Sequence, residues 1–324
     1  MIRVIQFGLG AIGRATAKLI LGKSSLQLVG AVDPQYVGRD LGDLLELGRK
    51  LHLPVTLQLP NIPADAVFHC AGSSFAGCFE QFASFAKAGL HCVTSSEEAL
   101  FPAYRHKDLA AKLDKLCAAH RVGFLGTGVN PGFVMDTLAL ITTAACQNVE
   151  SVHVTRVVDA GTRREALQRK IGAGLTEDEF HRLAQEQKIR HVGLSESLVL
   201  IADGLRWNLD HVDETIAPVL APKTIQTQYL TVKAGQPAGV RQVARGFWKR
   251  RELITLDLQM YVGAPNPRDE IVLQSVPSLR VVVEGGTAGD LATPAMLVNC
   301  LPRLMEAKPG LHTMTSLALP RLIS

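Results

Sequence analysis

A doubly wound parallel α/β sheet, followed by an α+β region with a mostly antiparallel sheet, is the architecture that this 324-residue sequence predicts. Three observations carry it. The apolar run Val4 to Phe7 ends in Gly8, Gly10 and Gly13, strand-like and helix-like stretches alternate to about residue 130, and beyond residue 146 strand-like runs follow one another with only turn residues between them.

The bulk numbers suit that architecture. The length is comfortable for two domains, and 47% hydrophobic with 20% charged residues describes an ordinary globular protein. A formal charge of +4, spread along the chain, gives no case for nucleic acid. The sharpest basic cluster, Trp248-Lys249-Arg250-Arg251, reads as a solvated turn before a strand rather than a nucleic-acid or membrane patch. Met1-Ile2-Arg3 enters a strand at once and no apolar run approaches bilayer length, so a cytoplasmic protein without membrane association is expected. Six cysteines lie mostly in apolar stretches, with neither Cys-x-x-Cys nor zinc-like spacing, so reduced thiols and no metal site are expected.

Within the first half, each glycine of Gly8-Leu9-Gly10-Ala11-Ile12-Gly13 has its own task. Gly8 allows the sharp turn after the strand, Gly10 lets backbone approach a pyrophosphate, and Gly13 lets the following helix pack closely. Ala11 and Ile12 open that helix, whose unpaired N–H groups face the anion. A second strand, Leu26 to Val32, ends at Asp33, 33 − 13 = 20 residues past the last glycine, where an acid accepts hydrogen bonds from a ribose. This is a dinucleotide-binding, Rossmann-type pattern. Arg39 lies where a cation meets a 2′-phosphate whereas Asp33 repels one, so NADP and NAD both stay open as cofactor.

A helix is expected over Leu44 to Leu51. The next strand, Ala66 to Cys70, ends in Ala71, Gly72 and Ser73, small residues over which a cofactor can lie. Phe75, Phe79, Phe82 and Phe85 recur at helical spacing as a core stripe. The strand Leu90 to Thr94 then runs into Ser95-Ser96-Glu97-Glu98. Ligands of open α/β sheets bind just past strand carboxyl ends, so Glu97 and Glu98 are the candidate catalytic acids and Ser95 a cofactor contact. A carboxylate partly withdrawn from water beside a nicotinamide exchanges protons nearer neutrality. The bland alternative is that Ser96 and the two acids simply start a helix.

After the helix His106 to Ala119 and the strand Val122 to Leu125 comes Gly126-Thr127-Gly128-Val129-Asn130-Pro131-Gly132-Phe133, whose composition demands turns. Asn130 either bonds the nicotinamide carboxamide or starts the turn; Val129 and Phe133 are candidate substrate contacts. The domain junction falls here. Val149 to Val158 reads as a long strand before a polar bend, so Arg156, Thr162 and Arg163 are further candidates to orient substrate. Thr176 with Glu179 has capping-box spacing. Strand-like runs then cover Thr224 to Val232, Gly239 to Gly246, Leu253 to Val262, Ile271 to Gln274 and Leu279 to Val283. The open face of such a sheet is a candidate homodimer surface. Asp290 to Met305 closes the chain as a helix.

Taken together, Val4 to Arg14, Thr94 to Glu98, Gly126 to Asp136, Leu167 to Gly174, Gly289 to Thr293 and Leu297 to Pro302 resemble the 2,4-diaminopentanoate dehydrogenases. The native amine dehydrogenases, within the wider dihydrodipicolinate-reductase-like group, share the pattern, which covers nearly the whole chain. The resemblance implies NAD(P)-dependent interconversion of a small amine with a carbonyl compound and ammonia. It also implies that a glutamate after the strand assists proton transfer, with Glu97 preferred and Glu98 its rival. The chain departs from the family in the bend, where Ala160-Gly161-Thr162 replaces more Ser or Lys. The His- and Lys-bearing signature of true dihydrodipicolinate reductases is absent there. Expected domains are 1–132 for dinucleotide binding, 133–289 for substrate and dimerisation, and 290–324 as a helix and tail returning to the first. The alternatives are an oxidoreductase acting on a cyclic imine or amino acid and a cofactor-binding sensor without chemistry.

Overall fold

In a computed structural model, which describes residues 1–324, the chain divides into two compact units. Unit 1 comprises Met1–Phe133 with Ala288–Ser324, and unit 2 comprises Val134–Thr287.

Unit 1 starts with β1 (Ile2–Phe7), α1 (Ala11–Leu21), β2 (Leu26–Val32), the one-turn α2 (Leu41–Leu44) and β3 (Val55–Thr56). It continues through β4 (Ala66–His69), α3 (Phe75–Lys87), β5 (His91–Thr94), a 3-10 turn at Glu97–Leu100, α4 (Lys107–Ala119) and β6 (Gly123–Gly126). The last segment adds α9 (Gly289–Glu306) and β15 (Gly310–His312). The strands form one sheet in the order β15-β6-β5-β4-β1-β2-β3, and every pair in it is parallel. Chain order therefore reverses between β1 and β4, and ligands of such sheets settle in the crevice outside the strands' carboxyl ends at that point. The phenylalanine stripe of α3 is core: Phe75, Phe79, Phe82 and Phe85 are all buried against β4, β5 and β6.

The helix expected over Leu44 to Leu51 is confined to Leu41–Leu44, because the backbone turns left-handed at Glu46 and Gly48. Its leucines still point inward, so burial without a helix produced the apolar pattern.

Unit 2 contains α5 (Thr137–Thr143), β7 (Asn148–Asp159), α6 (Glu165–Lys170), α7 (Glu177–Gln185) and α8 (Leu194–Gly204). The strands β8 (His211–Leu220), β9 (Ile225–Gln226), β10 (Thr231–Val232), β11 (Pro237–Trp248), β12 (Arg251–Tyr261), β13 (Arg268–Val276) and β14 (Leu279–Glu284) follow. Six of them make a sheet in the order β14-β13-β7-β12-β11-β8, antiparallel except for the parallel pair β7 and β12. Strand alternation sorts its faces. Val154, Leu256, Leu258, Ala244 and Ile271 are buried on one, while His153, Thr155, Asp257, Gln259 and Arg241 share the other.

The capping box of α7 forms as its spacing predicts, with Thr176 and Glu179 satisfying each other's backbone N–H groups. The basic cluster is a hairpin tip. Lys249 and Arg250 both take positive φ, 48° and 67°, between β11 and β12, the conformation of a two-residue turn. The run expected over Thr224 to Val232 is instead a small hairpin of two-residue strands, β9 and β10.

Candidate active site

The glycine turn lies at the carboxyl end of β1, against the end of β4. A Cβ on Gly8, whose φ is +87°, would stand 2.7 Å from the Cys70 carbonyl, and one on Gly13 would stand 1.9 Å from the Gly8 carbonyl oxygen. These positions are closed to any side chain. Gly10 differs: a Cβ there would meet nothing within 4 Å, at the N-cap of α1. Open space before the N–H groups of an eleven-residue helix is what a pyrophosphate requires, so Gly8, Gly10, Ala11, Ile12 and Gly13 fit a dinucleotide.

Asp33 sits behind this cradle and is buried. Its Oδ2 accepts the Leu9 N–H at 2.7 Å and its Oδ1 accepts the Gln35 N–H at 2.8 Å, so the carboxylate braces the glycine turn. Beside it, Arg14 donates from Nε to the Leu9 carbonyl and from Nη2 to the Tyr36 hydroxyl, both at 2.8 Å. The Arg14 and Arg39 guanidinium carbons lie 5.1 and 5.9 Å from the Tyr36 ring centre. Neither Arg14 nor Tyr36 belongs to a recognisable binding motif in the sequence. Their only signal was adjacency, Arg14 directly after the last glycine and Tyr36 three residues after Asp33.

Between β4 and α3, Ala71 and Gly72 are exposed and Ser73 half-buried, leaving a low wall at the sheet edge. The two acids follow β5. Glu98 is tied down: its Oε2 accepts the Phe75 N–H at the start of α3 at 2.8 Å and lies 3.3 Å from His106 Nε2. Its own N–H donates to the Ser73 carbonyl, and His106 stacks on Phe75. Glu98 thus joins the turn after β5 to the turn after β4. Glu97, half-buried, starts the 3-10 turn. Both carboxylates act on Cys78, whose thiol is pushed up by burial first and then by Glu98 and Glu97. Ser96 does not cap the turn with its side chain; its buried hydroxyl has no hydrogen-bond partner.

A buried relay holds Ser96 in place. The Ser96 N–H donates to Thr94 Oγ1, the Thr94 hydroxyl donates to His69 Nδ1 at 2.8 Å, and His69 Nε2–H donates to Gln81 Oε1 at 2.9 Å. Burial among Phe7, Phe82 and Phe85 lowers the His69 pKa to about 4, against an opposing rise from Gln81. The unfolded chain takes up this proton near pH 6.5 and the folded chain refuses it. Stability therefore falls as pH drops from 6.5 toward 4, by about 3 kcal/mol in all from this group. Urea unfolding at about pH 7 and pH 5 is expected to show most of that loss, and His69→Gln is expected to flatten it.

At the end of β6, Gly126 allows close approach to the 3-10 turn, since a Cβ there would stand 2.1 Å from the Ala99 carbonyl oxygen. In the loop that follows, the N–H of the buried Val129 donates to Thr293 Oγ1 of α9. Asn130 and Phe133 are half-buried in the same loop. Ser95, also half-buried, donates its N–H to the His69 carbonyl.

In unit 2, Arg156 has a structural task. It is 4% exposed, pairs with Asp269 at 2.5 Å and donates to the Thr287 carbonyl at 2.7 Å, while Asp269 accepts the Thr287 N–H. Both polar groups of the Thr287 backbone are held by this pair. Thr162 is exposed and Arg163 half-buried in the bend after β7.

Residues 133–324 match the model of the 2,4-diaminopentanoate dehydrogenase C-terminal domain. The chain belongs to this dehydrogenase family. A 2,4-diaminopentanoate dehydrogenase of Acetoanaerobium sticklandii is 29% identical, over 99% of this chain and 95% of its own. An amine dehydrogenase of Streptomyces virginiae is 23% identical, over 96% and 95%. Among solved structures, an amine dehydrogenase from Mycobacterium smegmatis superposes with a TM-score of 0.86 at 23% identity, covering 99% of this chain and 97% of that one. A dihydrodipicolinate reductase from Paenisporosarcina sp. TG-14 gives 0.53 at 13% identity, covering 97% of each chain. The family's dehydrogenase character agrees with a dinucleotide cradle in unit 1.

Proposed function

We propose that the protein is an NAD(P)-dependent amine dehydrogenase, reductively aminating a small ketone or aldehyde with ammonia and running the reverse deamination. The observation that carries this reading is the pair of acids on the turn after β5, beside the edge where β1 and β4 diverge below an open glycine cradle. Bound nicotinamide would supply or accept the hydride.

The chain's own residues handle the rest. We assign the proton-handling role to Glu97, the acid nearer the end of β5, and keep Glu98, which accepts the Phe75 N–H, as its rival. Ammonia attacks the carbonyl carbon, one of its protons passes to the carbonyl oxygen to give the carbinolamine, and Glu97 delivers the second proton with which that oxygen leaves as water. Its carboxylate then offsets the charge of the resulting iminium until hydride reaches the carbon. Gly8, Gly10, Ala11, Ile12, Gly13 and Asp33 shape the cofactor cradle, with Ala71, Gly72, Ser73, Ser95 and Asn130 along its nicotinamide end. Val129 and Phe133 contact substrate. Arg156 is left to its structural pair.

We also place the enzyme in the cytoplasm as a homodimer. Six free cysteines support a reducing compartment, and the unit 2 sheet face bearing Arg241, His153 and Gln259 is the proposed subunit contact. No helix is long and apolar enough to cross a membrane.

The assay is oxidation of reduced nicotinamide by a panel of small ketones and aldehydes, with and without ammonia. Turnover that requires ammonia is expected. Turnover of preformed cyclic imines without ammonia, or nucleotide binding with no turnover, overturns the reading.

A further inference from the structure

We infer that the pocket at the carboxyl end of β2 selects the 2′-phosphate of NADP(H) over the 2′-hydroxyl of NAD(H), with Arg14 and Arg39 holding the phosphate. This deepens the proposed cofactor site and rests on it.

The charge balance of the pocket points that way. An acid at the end of β2 favours NAD(H) when its oxygens face the ribose, because it accepts from the hydroxyl and repels a phosphate. Here both Asp33 oxygens already accept backbone N–H groups, from Leu9 and Gln35, and the side chain is buried under the glycine turn. Asp40, the next acid along the loop, is also turned inward. Its oxygens accept the N–H groups of Gly42, Leu51 and Leu53, and these backbone bonds, Leu51 foremost, lower its pKa. Neither acid presents an uncompensated carboxylate to the loop surface.

The cations do the opposite. Arg14 and Arg39 both lie over one ring, that of Tyr36, and neither is ion-paired with a carboxylate. Arg14 spends two of its five N–H donors on Leu9 and Tyr36, which fixes the plane of its guanidinium and leaves the others for an anion. Arg39 is exposed and its side chain makes no hydrogen bond. Two unpaired guanidiniums on a shared aromatic support, next to the ribose end of a dinucleotide cradle, form a receptor for a phosphate monoester. A ribose hydroxyl leaves both charges uncompensated.

The test is fluorescence titration of the purified protein with NADPH and NADH at low salt and at about 0.3 M salt. NADPH is expected to bind at least tenfold more tightly at low salt, with the advantage shrinking as salt screens the contacts. Arg39→Ala is expected to weaken NADPH about tenfold and NADH far less. Arg14→Lys, which keeps the charge but not the fork, serves if Arg14→Ala does not fold, and is expected to narrow the preference. Displacement of NADPH by 2′-AMP at concentrations where 5′-AMP has no effect gives the same answer independently of turnover. Equal affinities, tighter NADH, or an Arg39→Ala variant that loses both nucleotides alike overturns the inference and leaves the nicotinamide site standing. Binding of neither nucleotide overturns the site as well.

Discussion

Glu97→Gln is expected to lower kcat for reductive amination by about 10²- to 10³-fold while leaving the nucleotide dissociation constant within about twofold of wild type. That is the range for a positioned general acid or base, and an isosteric amide removes the proton and the charge without opening a void. Glu98→Ala is expected to behave differently. It strips the acceptor from the Phe75 N–H and the partner from His106, so its main effect falls on stability, about 1 to 3 kcal/mol in denaturant unfolding, with a smaller loss of kcat. Single-turnover kinetics alongside melting curves separate the two. If Glu98→Gln abolishes turnover and Glu97→Gln spares it, the roles assigned to the two acids are reversed.

The second large effect comes from two glycines three residues apart. Gly13→Ala places a methyl 1.9 Å from the Gly8 carbonyl oxygen and 2.8 Å from its carbon, both backbone atoms that cannot step aside. A loss of about 3 kcal/mol or more, or failure to accumulate folded protein, is expected. Gly10→Ala meets nothing within 4 Å, and its φ of −65° suits alanine, so its melting temperature is expected to stay within a few degrees of wild type. The methyl nevertheless fills space assigned to the pyrophosphate, and nucleotide affinity is expected to fall at least tenfold. Wild-type affinity in a well-folded Gly10→Ala protein would remove the cradle from the account.

These two glycines also mark what the sequence can disclose. The strand, turn, helix and second strand at the start of unit 1 were legible because each needs a residue type at a fixed distance. The capping box of α7 was legible for the same reason. β8 was missed because, at the sheet edge with β11 its sole partner, its residues run half-exposed along its length and Pro218 interrupts the strand signal. β3 and β15, two and three residues long, are too short for any periodicity.

The candidate site was legible in its residue types and not in its partnerships. Glu97 and Glu98 stand side by side in sequence, and only the fold sends one to the start of α3. Asp33 lies at the expected distance from the glycines, yet which groups its oxygens would bind depended on how the turn folded back. Arg156 looked like a substrate contact because it is a cation in a long strand. Its partner Asp269 is 113 residues away, in a strand whose register nothing local sets.

The division of the chain has a consequence for its birth on the ribosome. Because Ala288–Ser324 belongs with Met1–Phe133, the nucleotide-binding unit emerges unfinished and waits while the whole of unit 2 is synthesised, about 8 to 30 s at ordinary elongation rates. Throughout that delay β6 lacks its neighbour β15 and α1 lacks the helix α9 that packs on it. The nascent chain thus carries a bare sheet edge and an uncovered apolar helix face, the two features most prone to capture by chaperones or by other nascent chains.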